Sequence, residues 1–131
     1  MRTLFALAPI AFVAACATTG PVVDSAAPMG VDDTVQMTSN LQFSPNAITV
    51  NSGDTVAFQN ISTFVHTVST EADTAAESQL IRLPSGAAAF NSGEVAPGET
   101  WTYTFGTPGT YTYISEPHLE SRMVGTVIVN P

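Results

Sequence analysis

The chain has 131 residues, a length that suits one domain and a leader segment. It carries 11 Asp and Glu against 3 Lys and Arg, a formal net charge of −8. Because no basic patch is present to neutralise phosphates, we expect no nucleic-acid partner. The acidic balance favours attraction of a basic protein or a cation, although solubility alone also explains it.

The first residues have the pattern of an export signal. Met1-Arg2 supplies a positive charge, and an apolar run follows from Leu4 to Ala15. This run is too short to span a bilayer, whereas it has the length of a signal-peptide core. We therefore interpret residues 1–15 as a signal peptide of the lipoprotein type.

Cys16 ends a Val-Ala-Ala-Cys sequence that resembles a bacterial lipobox, in which the cysteine is lipidated and becomes the mature N-terminus. The overlapping Ala15-Cys16-Ala17 is an alternative cleavage site that would remove the cysteine. We favour lipidation, because Cys16 is the only cysteine and an unpaired thiol in an exported protein needs an explanation. This predicts a periplasmic or outer-membrane-anchored bacterial lipoprotein that meets the membrane only through its lipid.

Residues 16–33 are rich in small and turn-forming side chains, which predicts a flexible tether. We place the folded domain at residues 34–131. There, short segments of β-branched and aromatic residues are separated by turn sequences such as Asn51-Ser52-Gly53-Asp54. Such a pattern predicts an all-β fold, a β-sandwich. The predicted strands are 35–38, 47–50, 55–60, 65–69, 100–105, 110–115 and 125–129.

One segment between the predicted strands has a different period. From Glu71 to Leu83, Ala and Leu residues recur at helical spacing, with Thr70 in the position of an N-cap. We predict a short helix inserted between strands there. An irregular loop is the alternative, because the apolar stripe is weak.

The chain has two histidines, His66 in a predicted strand and His118 in the loop after the Tyr111–Tyr113 strand, and Met123 follows in the same loop. Taken singly, each side chain has a structural explanation, as a half-buried polar group or as core filler. Two imidazoles and a thioether together are donors that suit copper better than magnesium or calcium.

A series of short motifs in a fixed order carries a family resemblance. They are Phe43-Ser44-Pro45, Ile48-Thr49-Val50, Ser52-Gly53-Asp54-Thr55-Val56, Phe58-Gln59-Asn60, His66-Thr67-Val68, Phe90-Asn91-Ser92-Gly93, Ala96-Pro97-Gly98-Glu99, Gly109-Thr110-Tyr111-Thr112-Tyr113, Glu116-Pro117-His118 and Met123-Val124-Gly125-Thr126-Val127. From about Gln42 to Val129 the chain therefore resembles a cupredoxin of the plastocyanin type. The resemblance implies a Greek-key β-sandwich and electron transfer through one copper ion. It also implies metal ligands at His66, at position 115, at His118 and at Met123.

The sequence departs from the family at position 115, where Ser115 stands in place of the copper-binding cysteine. In blue-copper sites the thiolate supplies the short, covalent bond, whereas a serine hydroxyl is neutral near pH 7 and a poor ligand. Ser115 is thus a weak fourth donor at best. We expect weaker copper binding than in the family, without intense blue colour.

Three functions follow from these observations. The first is an exported copper-binding or copper-handling protein with a site built on His66 and His118. The second is a metal-free interaction module that docks a partner through its acidic surface or an apolar rim at Leu119 and Met123. The third is a one-electron carrier with a modified copper site. We expect a monomer whose partner is a basic redox or copper-handling protein, and no enzyme, because no oriented Ser-His-Asp arrangement is evident.

Overall fold

The computed structural model describes residues 30–131. The segments that form strands are those in which apolar side chains alternate or run together between turn residues. The elements in this part of the chain are strands β1 (Asp33–Met37), β2 (Phe43–Ser44), β3 (Ala47–Asn51), β4 (Asp54–Asn60), β5 (Thr100–Phe105), β6 (Gly109–Ile114) and β7 (Val124–Asn130), helix α1 (Ala75–Leu80) and a 3₁₀ segment (Glu116–Ser121).

The strands form two sheets that face each other. One sheet has the order β2-β1-β4-β5 and the other the order β3-β7-β6. The first strand pairs in parallel with β4, and β3 pairs in parallel with β7, while the remaining pairs are antiparallel. The predicted all-β sandwich with a short inserted helix is confirmed.

Aromatic side chains fill the space between the sheets. Tyr113 and Phe58 are fully buried and meet edge to face with ring centroids 5.3 Å apart. As the alternation of β5 predicts, Trp101, Tyr103 and Phe105 share a face, and all three pack against Phe90. Aromatic pairs in these arrangements contribute attraction beyond the apolar area that they bury.

The predicted strand at residues 65–69 is wrong. His66 forms an isolated bridge with Val95, while Ser69 forms isolated bridges with both Asn91 and Ile114. This segment changes partners along its length, so it links the end of β6 to the chain around residues 91–95 and extends neither sheet. Residues 66–70 are nevertheless all buried.

The inserted helix exists but is shorter than predicted. It begins after Thr74, whose side chain accepts a hydrogen bond from the Glu77 amide, while the Glu77 carboxylate accepts one from the Thr74 amide in a reciprocal capping box. The predicted cap, Thr70, is instead buried, and its hydroxyl accepts the Phe90 amide at 2.8 Å. A better cap four residues later therefore sets the start of the helix.

The predicted signal peptide at residues 1–15, the lipidation site Cys16 and most of the predicted tether at residues 16–33 lie outside the described residues. At the other end of that tether, β1 starts at Asp33, one residue before the predicted domain boundary. The Asp32 carboxylate also accepts the Thr55 amide at 2.8 Å. Among residues 30–131, no helix has both the length and the apolar character needed to cross a membrane.

Candidate metal centre

His66 lies at one end of the sandwich, in the irregular segment that follows β4. Its backbone exchanges two hydrogen bonds with Val95, of 3.1 and 2.8 Å, which fix the direction in which the side chain leaves the chain. The ring is fully buried. Its Nε2 is 2.9 Å from the Ser62 hydroxyl, and its Nδ1 is 3.4 Å from the Ser115 hydroxyl. Both ring nitrogens thus meet side-chain hydroxyls.

Ser115 follows the last residue of β6 and is also fully buried. Its hydroxyl accepts a hydrogen bond from the Thr67 amide at 3.2 Å, and the Thr67 hydroxyl accepts the Glu116 amide at 2.8 Å. These two bonds tie the start of the loop to the segment that carries His66. They place the Ser115 oxygen beside the His66 imidazole, at the position that a metal ligand from residue 115 would occupy.

His118 lies at a kink in the 3₁₀ segment, with φ −124° and ψ 31°, and Pro117 precedes it. Its ring is half-buried and lies against that of His66, with centroids 4.7 Å apart. The Nε2 atom is 2.9 Å from the Val65 carbonyl oxygen. A carbonyl oxygen only accepts, so this bond requires the proton on Nε2 and leaves Nδ1 with a free lone pair in the neutral ring.

Met123 ends the loop just before β7. Arg122, in a left-handed backbone conformation with φ 55° and ψ 48°, turns the chain back, and the Ser115 amide then donates to the Met123 carbonyl at 3.1 Å. The Met123 side chain is buried in the hydrophobic core. The structure thus brings the two imidazoles into contact, sets Ser115 against one of them and brings the Met123 backbone to Ser115.

Sequence reasoning missed the residues that hold this arrangement, namely Asn60, Ser62 and Thr67. Their roles depend on an irregular loop that folds back on itself, so no periodic pattern marks them. The available signal was local: Asn and Ser two residues apart, just after a strand, are typical of side chains that bond to nearby backbone.

Burial is the main electrostatic influence on His66. It lowers the pKa of the imidazole below the usual value of 6.5, the nearby His118 lowers it further, and the Thr38 backbone, within hydrogen-bonding reach of the ring, opposes the change. The ring is therefore neutral near pH 7, the form in which histidine acts as a metal ligand.

The pKa of Glu116, which lies beside the site, changes in the opposite direction. Burial raises the pKa of its carboxyl above the usual value of 4.5, the Asp73 and Glu77 carboxylates raise it further, and a 3.4 Å hydrogen bond from Asn91 opposes the change. A raised pKa in the folded state means that protonation stabilises the fold, and this stabilisation is lost as the pH rises through that pKa.

Replacing Glu116 by Gln should accordingly raise the midpoint of thermal unfolding at neutral pH. Because the group is only half-buried, the gain in the free energy of unfolding is a few tenths of a kcal/mol. The gain should shrink as the pH falls through the raised pKa of the wild-type carboxyl, which calorimetry across this range measures. A gain that stays constant with pH would contradict this explanation.

The donors at this end fit a copper ion held by imidazoles and do not fit a blue-copper centre. Residues 30–131 contain no group of three or more His, Cys, Asp or Glu that could hold a metal ion. A metal ion at this position would therefore have two imidazole nitrogens, with the Ser115 alcohol as the further donor beside them. Such a set lacks the anionic sulfur on which the blue-copper site depends.

The chain thus folds as a two-sheet β-sandwich with two imidazoles in contact at one end. Residues 29–130 match the family described as copper binding proteins, plastocyanin/azurin family. The chain belongs to this family, and the resemblance to cupredoxins is confirmed.

The relatives include plastocyanins of plants. The chain is 39% identical over 94 residues to the chloroplastic plastocyanin of Oryza sativa subsp. indica, covering 69% of this chain and 56% of that protein. It is 38% identical over 96 residues to the plastocyanin of Vicia faba, covering 69% of this chain and 89% of that protein. The chain thus spans little more than half of the rice protein.

Solved structures have the same fold. A reduced amicyanin variant is 25% identical and superposes with a TM-score of 0.61, over 79% of this chain and 86% of the amicyanin. An oxidised plastocyanin from Dryopteris crassirhizoma is 22% identical with a TM-score of 0.56, over 74% of this chain and 99% of the plastocyanin, and shows the fold alone.

Proposed function

We propose that this protein binds a single copper ion through the Nδ1 atoms of His66 and His118, without a thiolate ligand. The observation that carries the proposal is the contact between the two imidazole rings, whose centroids are 4.7 Å apart at one end of the sandwich. Family membership supports copper as the metal. With Ser115 in place of the cysteine, the site binds copper weakly and lacks the intense blue colour of a thiolate site, which suits copper handling.

A bound copper ion supplies one-electron chemistry between its two common oxidation states. The protein contributes the rest through its own side chains. Burial of His66 keeps one imidazole neutral and excludes water from one side of the site, whereas half-buried His118 borders the solvent. The hydrogen bonds to Ser62 and Val65 hold both rings before any metal arrives. Exchange of metal or electrons would therefore take place on the side of His118.

Replacing His118 by Ala should abolish saturable copper binding, because the half-buried ring supplies one of only two imidazole donors. Titration of the full chain with Cu(I) and Cu(II), with a competing chelator, measures the loss. Ser121→Ala is the matched control, since this exposed serine lies in the same 3₁₀ segment. We expect wild type and the control to bind one copper ion equally well. Wild-type protein with no saturable site, or a His118→Ala variant that binds normally, would contradict the proposal.

Exposed apolar side chains in the loop after β4 favour a second candidate function, docking of a protein partner. Ile61, Phe64 and Val65 are 53%, 44% and 37% exposed, and the Phe64 ring lies 5.8 Å from that of His118. Such a surface, on a chain of net charge −8, suits a basic redox or copper-handling protein. If the protein is instead a metal-free interaction module, substitution of both histidines will leave partner binding unchanged. If it is an electron carrier, the copper-loaded protein will show a reversible redox potential.

Export and lipid attachment at Cys16 are also part of the proposal. They rest on the apolar run before Cys16 and on its being the only cysteine in the chain. A lipid at this position would hold a soluble, monomeric copper domain at the surface of a membrane, with the intervening residues as its tether.

A further inference from the structure

We infer that Ser62 is a positioning residue for the metal centre: it keeps the Nε2 proton on His66, so that the bare Nδ1 atom faces the position of the metal. The role of Ser62 in metal binding rests on the proposed copper-binding function. The tautomer of the His66 ring is a property of the metal-free protein and can be measured without copper.

The first step is the orientation of the Asn60 amide, which is fully buried. Its Nδ2 lies 2.8 Å from the carbonyl oxygens of both Phe64 and Val95. Two acceptors at hydrogen-bond distance require the amide nitrogen on this side. The Oδ1 atom then faces the Ser62 amide, from which it accepts at 2.9 Å. These two carbonyl oxygens and the Ser62 amide therefore admit one orientation of the Asn60 amide.

The second step is the position of the Ser62 proton. The Ser62 hydroxyl oxygen lies 2.7 Å from the Asn60 Oδ1 atom, which has no hydrogen to give. A hydroxyl has a single proton, and the shortest bond uses it to donate to Asn60. The Phe64 carbonyl, at 3.1 Å, is the weaker competing acceptor and requires the same proton. In either case the hydroxyl can only accept from its remaining neighbours, and it accepts the Phe64 amide at 3.1 Å.

The third step is His66. Its Nε2 atom is 2.9 Å from the Ser62 oxygen, and because the hydroxyl proton is committed elsewhere, this bond exists only if Nε2 carries a hydrogen. A neutral imidazole has one N–H, so Nδ1 is left with its lone pair. That lone pair faces the Ser115 hydroxyl, 3.4 Å away.

This network matters because ligand histidines depend on the partner of their second nitrogen. A hydrogen-bond acceptor at that nitrogen fixes both the tautomer and the ring orientation, and its loss typically lowers metal affinity about 10- to 100-fold. At His118 the Val65 carbonyl has the equivalent position, at 2.9 Å from Nε2. Both rings are thus held as Nε2–H tautomers, one by a backbone carbonyl and the other by a side chain that a point mutation can remove.

The test uses the full chain, stripped of metal, with ¹⁵N-labelled histidine. Long-range ¹H–¹⁵N correlation spectra are recorded at about pH 8, where the His66 ring is neutral because its pKa lies below the usual value of 6.5. In wild type the His66 ring should show a protonated Nε2 and a bare Nδ1. Ser62→Ala should give a mixture of tautomers and bind Cu(II) about 10- to 100-fold more weakly in competition titrations. Ser62→Thr, which keeps the hydroxyl, should restore both properties.

Thr63→Ala is the matched control, because this exposed hydroxyl residue is adjacent in the chain. It should have wild-type spectra and affinity. A protonated Nδ1 on His66 in wild type overturns the inference while leaving copper binding intact. A Ser62→Ala variant with an unchanged tautomer and affinity also overturns it. Wild type that has the expected tautomer but binds no copper instead refutes the proposed function and leaves the hydrogen-bond assignment standing.

Discussion

Replacing Ser115 by Cys should turn the copper-loaded protein blue. The Ser115 oxygen is fully buried and lies 3.4 Å from His66 Nδ1, so a cysteine sulfur in the same rotamer would stand beside both imidazoles. Two imidazoles and a thiolate, with a distant thioether, form the donor set of a blue-copper site. The variant should therefore gain an intense sulfur-to-copper absorption in the visible range, which the wild type lacks.

The surroundings of position 115 already suit a thiolate. The Thr67 amide, which donates to the Ser115 hydroxyl at 3.2 Å, would donate to the sulfur and stabilise its negative charge. We also expect copper affinity to rise by more than about 100-fold, the upper limit for partners outside the ligand shell. Absorption and electron-resonance spectra of reconstituted protein, together with competition titrations, measure both changes.

Two comparisons separate this effect from copper bound to any thiol. The wild type already has Cys16, so its spectrum includes whatever that sulfur contributes, as a free thiol or as a lipidated thioether. Ser121→Cys adds an exposed thiol in the same 3₁₀ segment and should not gain the intense visible absorption. A Ser115→Cys variant no bluer than Ser121→Cys would mean that the loop does not bring position 115 to the metal.

Much of the fold could be predicted because alternation and turn chemistry are local properties of the sequence. Strand β5 has the predicted bounds, since Thr and aromatic residues alternate between turn sequences on both sides. The segment at residues 65–69 was also predicted as a strand, from its β-branched residues, but forms only isolated bridges. The sequence pattern alone indicates that such a segment is buried. Whether it forms a continuous strand ladder or only isolated bridges depends on pairing partners that are distant in the sequence. Residues 91–95 and the end of β6 are those partners.

The candidate site likewise has features that the sequence could predict and features that it could not. His66, His118 and Met123 were predicted as ligands because the order of family motifs includes them, and this assignment of roles stays a prediction. The tautomers of the two rings could not be predicted. They depend on the Val65 carbonyl and the Ser62 hydroxyl, and these groups reach the rings only after the loop between β4 and His66 has folded back.

Strands β6 and β7, which lead into and out of the metal loop, depend on a glycine for their packing. Gly125 lies opposite Tyr113 in the antiparallel register, and a Cβ atom placed on it would overlap the tip of the Tyr113 ring. The ring cannot withdraw, because it is fully buried and packs edge to face on Phe43 at 4.7 Å and on Phe58 at 5.3 Å. No side chain larger than hydrogen fits at position 125 without moving the core.

Gly125→Ala should therefore lower the free energy of unfolding by about 3 kcal/mol, the upper part of the range for an overpacked core. For a domain of this size, the midpoint of thermal unfolding falls by roughly 10–20 °C. Urea and thermal unfolding of the metal-free protein measure the loss. Gly106→Ala is the matched control, because a Cβ there meets no atom within 4 Å, and it should change stability by less than about 0.5 kcal/mol.

A double-mutant cycle identifies the cause of that loss. Tyr113→Leu removes the part of the ring that a Cβ at position 125 would meet, so Gly125→Ala should cost much less in that background, with a coupling energy of about 1 kcal/mol or more. Additive costs, or a Gly125→Ala variant as stable as Gly106→Ala, would refute the steric argument. Because Ser115 and Met123 each lie two residues from this contact, overpacking here should also spread the two ends of the loop and weaken copper binding. The same contact that closes the core thus holds the metal loop in place.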